Sequence, residues 1–184
     1  MPELLLTPHP STPGGPARSI SADARLRAPG SVAIRYRAKG LVGEIKIPPV
    51  EEPARADELW RHTCFEAFFG LEDSSTYFEF NFSPSGLWAA YGFSSYREGM
   101  RVLTACAPPT IEVLQSARTL TLTSVVNLDC LGVAIDSSLR IGFSAVIEDN
   151  ASTKTYWALA HPSAKPDFHH PDSFVFNLKK ADRS

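Results

Sequence analysis

The sequence has 184 residues, of which 43% are apolar and 21% are charged, and its formal net charge at pH 7 is −2. This length and composition fit one ordinary globular domain and exclude a chain that is disordered throughout. The charge balance argues against a nucleic-acid-binding protein, and no apolar run approaches the roughly 20 residues of a membrane span. The first residues lack the positive start and the apolar core of about 7–15 residues of a secretory signal, so we predict a cytoplasmic protein.

The N-terminal segment differs from the rest of the chain in composition. Residues 8–16 are rich in proline and glycine, which is typical of a loop. We therefore predict that residues 1–18 form a strand or loop that is partly flexible. Residues 19–184 are predicted to form a single domain, since no linker and no internal repeat interrupts them.

From Ser19 onward, apolar and polar residues alternate up to Ala28, and they alternate again after a turn at Pro29-Gly30. Period two is the pattern of half-buried β-strands. About eleven short strands with little helix predict an all-β fold, an antiparallel β-sandwich of two sheets. A short helix is predicted only at 55–59. The remaining strands are predicted at 32–38, 43–47, 63–71, 76–82, 87–93, 111–114, 120–128, 139–147, 155–160 and 174–178.

The clearest local element is a hairpin whose turn is residues 83–86. Three phenylalanines of its first strand point to one face, and Tyr77, Glu79 and Asn81 point to the other. If the loop has four residues, Asn81 pairs with Trp88, and Trp88 shares the polar face. A register that differs by one residue would reverse the assignment of Trp88.

This hairpin has two interpretations. In the first, one face is core and the other is exposed to solvent. In the second, the face with Tyr77, Glu79 and Asn81 binds a ligand. Sugars suit such a face, because their C–H surfaces lie on aromatic rings and their hydroxyl groups need convergent donors and acceptors.

Motifs that carry catalytic chemistry are absent from the sequence. It contains no phosphate-binding loop, dinucleotide fingerprint, zinc-protease motif, paired Cys-x-x-Cys or Gly-x-Ser-x-Gly. Glycoside hydrolases use pairs of carboxylate residues, and Glu66 and Glu79 could form such a pair. Their spacing in the sequence does not place the two carboxyl groups at a catalytic separation. We predict no catalytic residue.

Histidines near the C-terminus offer a candidate metal or acid–base site. His161, His169, His170 and Asp172 lie close together in sequence. His169 and His170 are adjacent, so they point in opposite directions in an extended chain, which favours a loop of surface histidines. Asp149 is an isolated acidic residue in a loop, which favours a solvated side chain over a calcium ligand. We predict no metal and no cofactor.

The three cysteines are odd in number and widely spaced, at Cys64, Cys106 and Cys130. A secreted disulfide framework usually has an even number. We therefore predict three free thiols in a reducing compartment.

Two stretches carry a family resemblance. Residues 60–69 (WRHTCFEAFF) resemble the Trp-then-Glu strand of DOMON-like domains and of family 9 carbohydrate-binding modules. Residues 77–91 (YFEFNFSPSGLWAAY) resemble, more closely, a bacterial DOMON-like subgroup of unknown function. The short stretches IGF, ED and PDSF then follow in the order of the family's last strands. The resemblance covers roughly residues 20–178 and implies a jelly-roll type of sandwich.

The resemblance also implies a site. In the sugar-binding members two tryptophans clamp a terminal sugar, and polar residues hold its hydroxyl groups. Trp60 matches the first clamp and Glu66 a polar contact, whereas Phe168 stands in place of the second tryptophan. Asn81 falls where a polar contact is expected, and Glu79 stands where sugar binders carry arginine.

The leading hypothesis is non-catalytic binding of a saccharide or polyol between aromatic side chains, with Trp60 and Phe168 across a shared cleft. The alternatives are that the same face engages a protein partner, or that the chain is a haem-binding domain using Met100 and a histidine, or a small enzyme. A competing interpretation of Trp60 is that it belongs to the core. The candidate ligand-binding residues are Trp60, Glu66, Glu79, Asn81, Trp88, Phe168 and His169.

Overall fold

The computed structural model describes residues 3–27, 30–132 and 139–178, and it is all-β in these ranges. Four short 3₁₀ helices occur among the described residues and no α-helix does, so no helix there is long and apolar enough to cross a membrane. Ala28 and Pro29, which were predicted to end a strand and open a turn, lie outside the described residues. The strands are β1 (Leu4–Pro8), β2 (Ala17–Leu26), β3 (Ser31–Gly40), β4 (Cys64–Leu71), β5 (Tyr77–Phe82), β6 (Trp88–Phe93), β7 (Arg101–Val102), β8 (Thr110–Gln115), β9 (Thr119–Asn127), β10 (Leu139–Glu148), β11 (Lys154–Ala158) and β12 (Phe176–Leu178).

Strand β1 joins two sheets. The first sheet has the order β8-β9-β3-β2-β1, and the second has the order β7-β6-β5-β4-β10-β11-β1, with β12 beside β10. The first half of β1 pairs with β2, and Thr7 and Pro8 pair with Ala158 and Trp157 of β11. All of these strand pairings are antiparallel, and the sheet curls so that its two parts face each other.

The core lies between the two sheets, where alternate residues of each strand meet. The ring of Tyr36 on β3 lies 5.0 Å from Phe65 on β4 and 5.8 Å from Phe143 on β10, measured between centroids. The Tyr36 hydroxyl also donates a hydrogen bond to the backbone oxygen of Glu66. The alternation that predicted half-buried strands therefore produces an antiparallel sandwich, and the predicted fold class is confirmed. Its jelly-roll connectivity stays a prediction.

A second, smaller apolar cluster covers the other side of the second sheet, which we call the outer face. Two covering segments lie on it, residues 54–62 and residues 160–174. Leu59 of the first packs against this cluster, and Phe168 and Phe174 of the second belong to it. Because the outer face is covered, polar side chains that strand alternation turns away from the core are still withdrawn from water.

Two predicted elements are wrong. Residues 43–47 do not form a strand, since a 3₁₀ helix spans Val42–Glu44 and only Ile45 makes an isolated bridge, to Asp149. Residues 55–59 do not form a helix, because the backbone around Arg55 bonds to both sides of Trp88 at the edge of β6. Tertiary pairing there outweighs local helix propensity.

The prediction of three free thiols is also wrong. Cys106 and Cys130 form a disulfide across a sequence separation of 24, and Cys64 alone is free and buried. Cys106 follows β7, and Cys130 lies in the 3₁₀ helix after β9, so the fold rather than the spacing brings the pair together. The cytoplasmic location stays a prediction and loses the support that free thiols gave it.

Candidate ligand-binding site

The turn between β5 and β6 decides which side chains the outer face carries. Phe82 pairs with Trp88, so the loop has five residues, and the Ser83 amide donates to the Leu87 carbonyl at 2.9 Å. Gly86 completes the turn with φ +99°, which favours glycine. The register with Asn81 opposite Trp88 is therefore wrong. Trp88 lies on the core face, only 4% exposed, and is not part of a ligand site on the outer face.

The outer face carries a row of polar side chains on three neighbouring strands, which we call the polar row: Glu66, Glu79, Asn81 and Ser144. Glu66 lies opposite Asn81 of β5 and opposite Ser144 of β10. The Asn81 amide nitrogen donates to Oε1 of Glu79 at 2.8 Å, and the Ser144 hydroxyl donates to Oε2 of Glu66 at 3.2 Å. Three of the predicted site residues are thus brought together.

Both carboxyl groups of the polar row are withdrawn from water, since Glu66 is 3% exposed and Glu79 is 5% exposed. Burial raises the pKa of Glu66 well above its usual range, and the nearby charge of Glu79 raises it further. Burial also raises the pKa of Glu79 to about 7, against the opposing effect of the hydrogen bond from Asn81. The buried Oδ1 of Asn81 has no hydrogen-bond partner. The row therefore holds protons near neutral pH and offers an unused acceptor.

His169 lies over the polar row from the second covering segment. The Tyr77 hydroxyl accepts a hydrogen bond from the Arg97 amide at 3.1 Å and forms a second hydrogen bond with Nδ1 of His169 at 2.9 Å. The other ring nitrogen, Nε2, lies 3.8 Å from Oε2 of Glu79. Burial, helped by the charge of Arg97, lowers the pKa of His169 to about 4. Between pH 4 and 7 both groups are neutral, so this contact is not an ion pair.

Trp60 is presented to solvent by the first covering segment. It lies in the 3₁₀ helix Leu59–Arg61, which rests against β4 and β5, and its side chain is 48% exposed. The Arg61 guanidinium lies 5.5 Å from the Trp60 ring. The interpretation of Trp60 as a core residue is therefore wrong, and its ring is open to solvent.

The first covering segment is hydrogen-bonded to β6 just before the 3₁₀ helix that carries Trp60. Oδ1 of Asp57 accepts a hydrogen bond from the Tyr91 hydroxyl at 2.6 Å and another from the Arg55 guanidinium at 2.9 Å. The Arg55 guanidinium also lies 5.5 Å above the Tyr91 ring. These contacts fix the position at which the first covering segment begins to cross the outer face. Trp60 follows shortly after this position in the chain.

Phe168 is placed differently from Trp60. It lies in the second covering segment, 9% exposed, with its ring centroid 6.2 Å from that of Tyr156 on β11. Trp60 and Phe168 thus both lie on the outer face, but in different segments, and only Trp60 has a ring open to solvent. A clamp formed by the two rings stays a prediction.

Several residues of the site were not singled out from the sequence. Ser144 was detectable, since it is a polar residue at an outer-face position within the otherwise apolar stretch 141–147 of β10. Asp57 gave no signal because its segment was interpreted as helix, and Arg97 gave none because it follows the hairpin in a loop. Among the described residues, no group of three or more His, Cys, Asp or Glu side chains is arranged to hold a metal ion.

No protein-family model matches the chain, and no curated protein matches it in sequence. Solved structures do share its fold. A protein from Bacteroides uniformis named as a "putative carbohydrate-binding protein" has a TM-score of 0.67 and 13% identity over 96% of this chain and 85% of that one.

Two structures of family 9 carbohydrate-binding modules from Caldicellulosiruptor kristjanssonii also match. The module in complex with cellotriose has a TM-score of 0.55 and 7% identity over 100% of this chain and 85% of that one. The module in complex with glucose has a TM-score of 0.52 and 7% identity over 90% and 78% of the two chains. At such identities the likeness is one of fold, and the DOMON resemblance stays a prediction. The chain has the fold of the family 9 carbohydrate-binding modules.

Proposed function

We propose that this protein is a non-catalytic module that binds a saccharide or similar polyol on its outer face. The observation that carries the proposal is the solvent-exposed ring of Trp60, held by its turn against the strands that bear the polar row. An aromatic ring offers a surface for the C–H faces of a sugar, and buried polar groups beside it offer partners for hydroxyl groups. The fold shared with modules in complex with cellotriose and glucose supports the same ligand class.

Each residue has a role in the proposed site. Trp60 stacks on the ligand, and the unpaired Oδ1 of Asn81 accepts a hydrogen bond from one of its hydroxyl groups. Glu79 and Glu66 accept further hydroxyl hydrogens, with Glu66 the deeper of the two. His169 and Phe168 form the wall on the side of the second covering segment.

Entry of a ligand requires the Trp60 turn to move outward, because the polar row is almost fully covered. The described contacts within this turn are weak. Glu58 and Arg61 form an exposed ion pair at 2.8 Å, and no side chain caps the start of the 3₁₀ helix. Exposed pairs of this kind contribute roughly 0–1 kcal/mol, so the main resistance to opening comes from Leu59, which packs against the apolar cluster, and from the 2.7 Å contact of His62 with Glu148.

The test combines Trp60→Ala with calorimetric titration of glucose and cellotriose and with thermal unfolding. We expect binding to be lost while the melting temperature changes little. A ring that is half in solvent contributes less than the roughly 3–5 kcal/mol of a core tryptophan. Leu114→Ala, which removes an exposed apolar side chain on the other sheet, is the matched control and should leave binding unchanged.

Unchanged saccharide binding by Trp60→Ala would contradict the proposal, and so would a wild-type protein that binds no sugar in a broad screen. Use of the same face for a protein partner has no described contact behind it and stays a prediction.

A further inference from the structure

The two carboxyl groups of the polar row have almost no compensating positive charge. Among the residues that the structure describes, His169 is the only cationic side-chain type within 4 Å of either group, and it is neutral above about pH 4. Two arginines in the segments around the outer face are already engaged in ion pairs. Arg97 pairs with Asp167 at 2.8 Å, and Arg55 pairs with Asp57 at 2.9 Å.

The groups that face the row from the elements around it are mostly uncharged. β4 contributes the buried thiol Cys64, β6 contributes the Tyr91 hydroxyl, and β10 contributes Ser144. Tyr77 of β5 is occupied by His169 and the Arg97 amide. The charge of Arg97, which is paired with Asp167, lowers the pKa of Glu79 only in part, so the protons of Glu66 and Glu79 remain the main source of their neutrality.

The row is also short of hydrogen-bond donors. The Ser144 hydroxyl is used by Glu66, and the Asn81 amide nitrogen is used by Glu79. Oδ1 of Asn81 is fully buried and has no donor at all. Once the two carboxyl groups release their protons, they and Oδ1 of Asn81 offer a ligand mainly acceptors, a set that a neutral hydroxyl group, which both donates and accepts, uses incompletely.

We propose that the site is selective for amino sugars, and that it takes a protonated amine of the saccharide between Glu66, Glu79 and Asn81. This inference rests on the proposed function and names the ligand class of the same site. A primary ammonium group carries three N–H donors, no acceptor and one positive charge, which complements the row in both hydrogen bonding and charge. A buried, protonated carboxyl group that gains such a partner ionises to pair with the ammonium group, so binding releases its proton to solvent.

The first test uses three sugars that differ only at carbon 2: glucosamine, N-acetylglucosamine and glucose. We expect wild-type protein at pH 7 to bind glucosamine at least about tenfold more tightly than the other two, the size expected for a charged hydrogen bond. Ethylammonium is included to separate an amine on a sugar from an amine alone, and it should bind much more weakly than glucosamine.

Glu79→Gln and Glu66→Gln should each abolish the preference, so that the ratio of the glucosamine and glucose affinities falls from about tenfold to about one. Glutamine keeps the shape of the side chain and an oxygen that accepts from Asn81. Glu112→Gln removes an exposed carboxylate on the other sheet and is the charge-matched control. Thermal melts of the variants confirm folding, and the loss of a buried acid is not expected to lower stability.

A second readout is calorimetry at pH 6.5 in buffers of different ionisation enthalpy. Proton release should accompany glucosamine binding by the wild type and be reduced in Glu79→Gln. Equal affinities for glucosamine and glucose, both dependent on Trp60, would overturn this inference and leave the proposed function intact. Ethylammonium binding as tightly as glucosamine, or calcium displacing glucosamine competitively, would also overturn it. Failure of every sugar to bind would overturn the proposed function itself.

Discussion

Glu79 and His169 face each other across 3.8 Å, and folding perturbs their protonation in opposite directions. The pKa of Glu79 is raised from 4.5 to about 7, so its contribution to stability is present below pH 4.5 and is lost as pH rises through 7. The pKa of His169 is lowered from 6.5 to about 4, so its contribution is present above pH 6.5 and is lost as pH falls through 4. Between pH 4.5 and 6.5 the stability lost through Glu79 as pH rises is offset by the stability gained through His169. The wild type therefore shows little net change in stability from this pair.

Replacing one of the two residues should make the effect of the other on the pH dependence of stability measurable. We expect Glu79→Gln to be more stable than the wild type above pH 7, by roughly 3 kcal/mol, since the pKa rises from 4.5 to about 7 and each pKa unit corresponds to 1.36 kcal/mol. Its stability should fall as pH decreases from 6.5 towards 4, because His169 then acts alone. Urea unfolding across this range measures both effects.

His169→Gln is the reciprocal variant, and its stability should fall as pH rises from 4.5 to 7. Wild-type and variant curves that run parallel across the whole range would show that neither group is perturbed by folding.

The positions of single residues were predictable where strand alternation alone decides them. Glu66, Glu79 and Asn81 share a face because period two places them there, and the structure brings them together. Trp88 was assigned to the wrong face because its position depends on the length of one turn. A single extra loop residue, Leu87, moves the whole of β6 by one register.

At the scale of elements, two glycines seat the second covering segment on the outer face. The Phe174 ring lies where side chains on β4 and β10 would otherwise stand: a Cβ added at Gly142 would come within 2.6 Å of Phe174, and one added at Gly70 within 2.9 Å. The absence of side chains at both positions leaves the slot that this ring fills.

We expect Gly142→Ala to push Phe174 out of this slot and to loosen residues 160–174, at the roughly 1–3 kcal/mol typical of overpacking. Denaturant unfolding measures the loss, and limited chymotrypsin digestion after Phe168, which is buried in the intact segment, reports the loosening. Gly43→Ala is the control, since no atom lies within 4 Å of a Cβ added there. Equal unfolding midpoints and equal digestion rates for the two variants would contradict this account.

The elements themselves were predicted well where alternation is long and poorly where a segment is short. The strands from β2 to β6 follow the pattern of the sequence. The segment before β4 does not, because its backbone hydrogen bonds go to Trp88, some thirty residues later in the chain. A local sequence pattern does not indicate a hydrogen-bond partner that is so distant in the chain.

At the scale of the whole molecule, the disulfide links the connection after β7 to the connection after β9. A loop closed over a separation of 24 residues predicts a stabilisation of about 3.5 kcal/mol through the unfolded state. The double variant Cys106→Ala, Cys130→Ala should lose about this amount in denaturant unfolding.

Thiol titration provides the direct check. Unfolded, non-reduced protein should show one thiol, from Cys64, and reduced protein should show three. A reductant should destabilise the wild type and leave the double variant unaffected. Three thiols without reductant would show that the bond does not form.

The general architecture, an antiparallel sandwich, follows from counting alternating strands. The disulfide and the joining role of β1 do not, because each depends on which distant strands become neighbours. The same distinction applies to the candidate site. Strand alternation predicts which polar residues lie on the outer face. The segments that cover them are long connections, and sequence patterns do not predict where these lie.

The double pairing of β1 has a consequence for the order in which the molecule is made. Leu4–Pro8 can meet β2 as soon as both have left the ribosome, but the hydrogen bond from Thr7 to Ala158 spans 151 positions. Until β11 is synthesised, this edge of the nascent sheet stays open, and open edges are where chains associate with one another. Formation of the complete sheet is therefore a late event of translation, and chains interrupted before about residue 154 expose an unpaired edge of β1 to their neighbours.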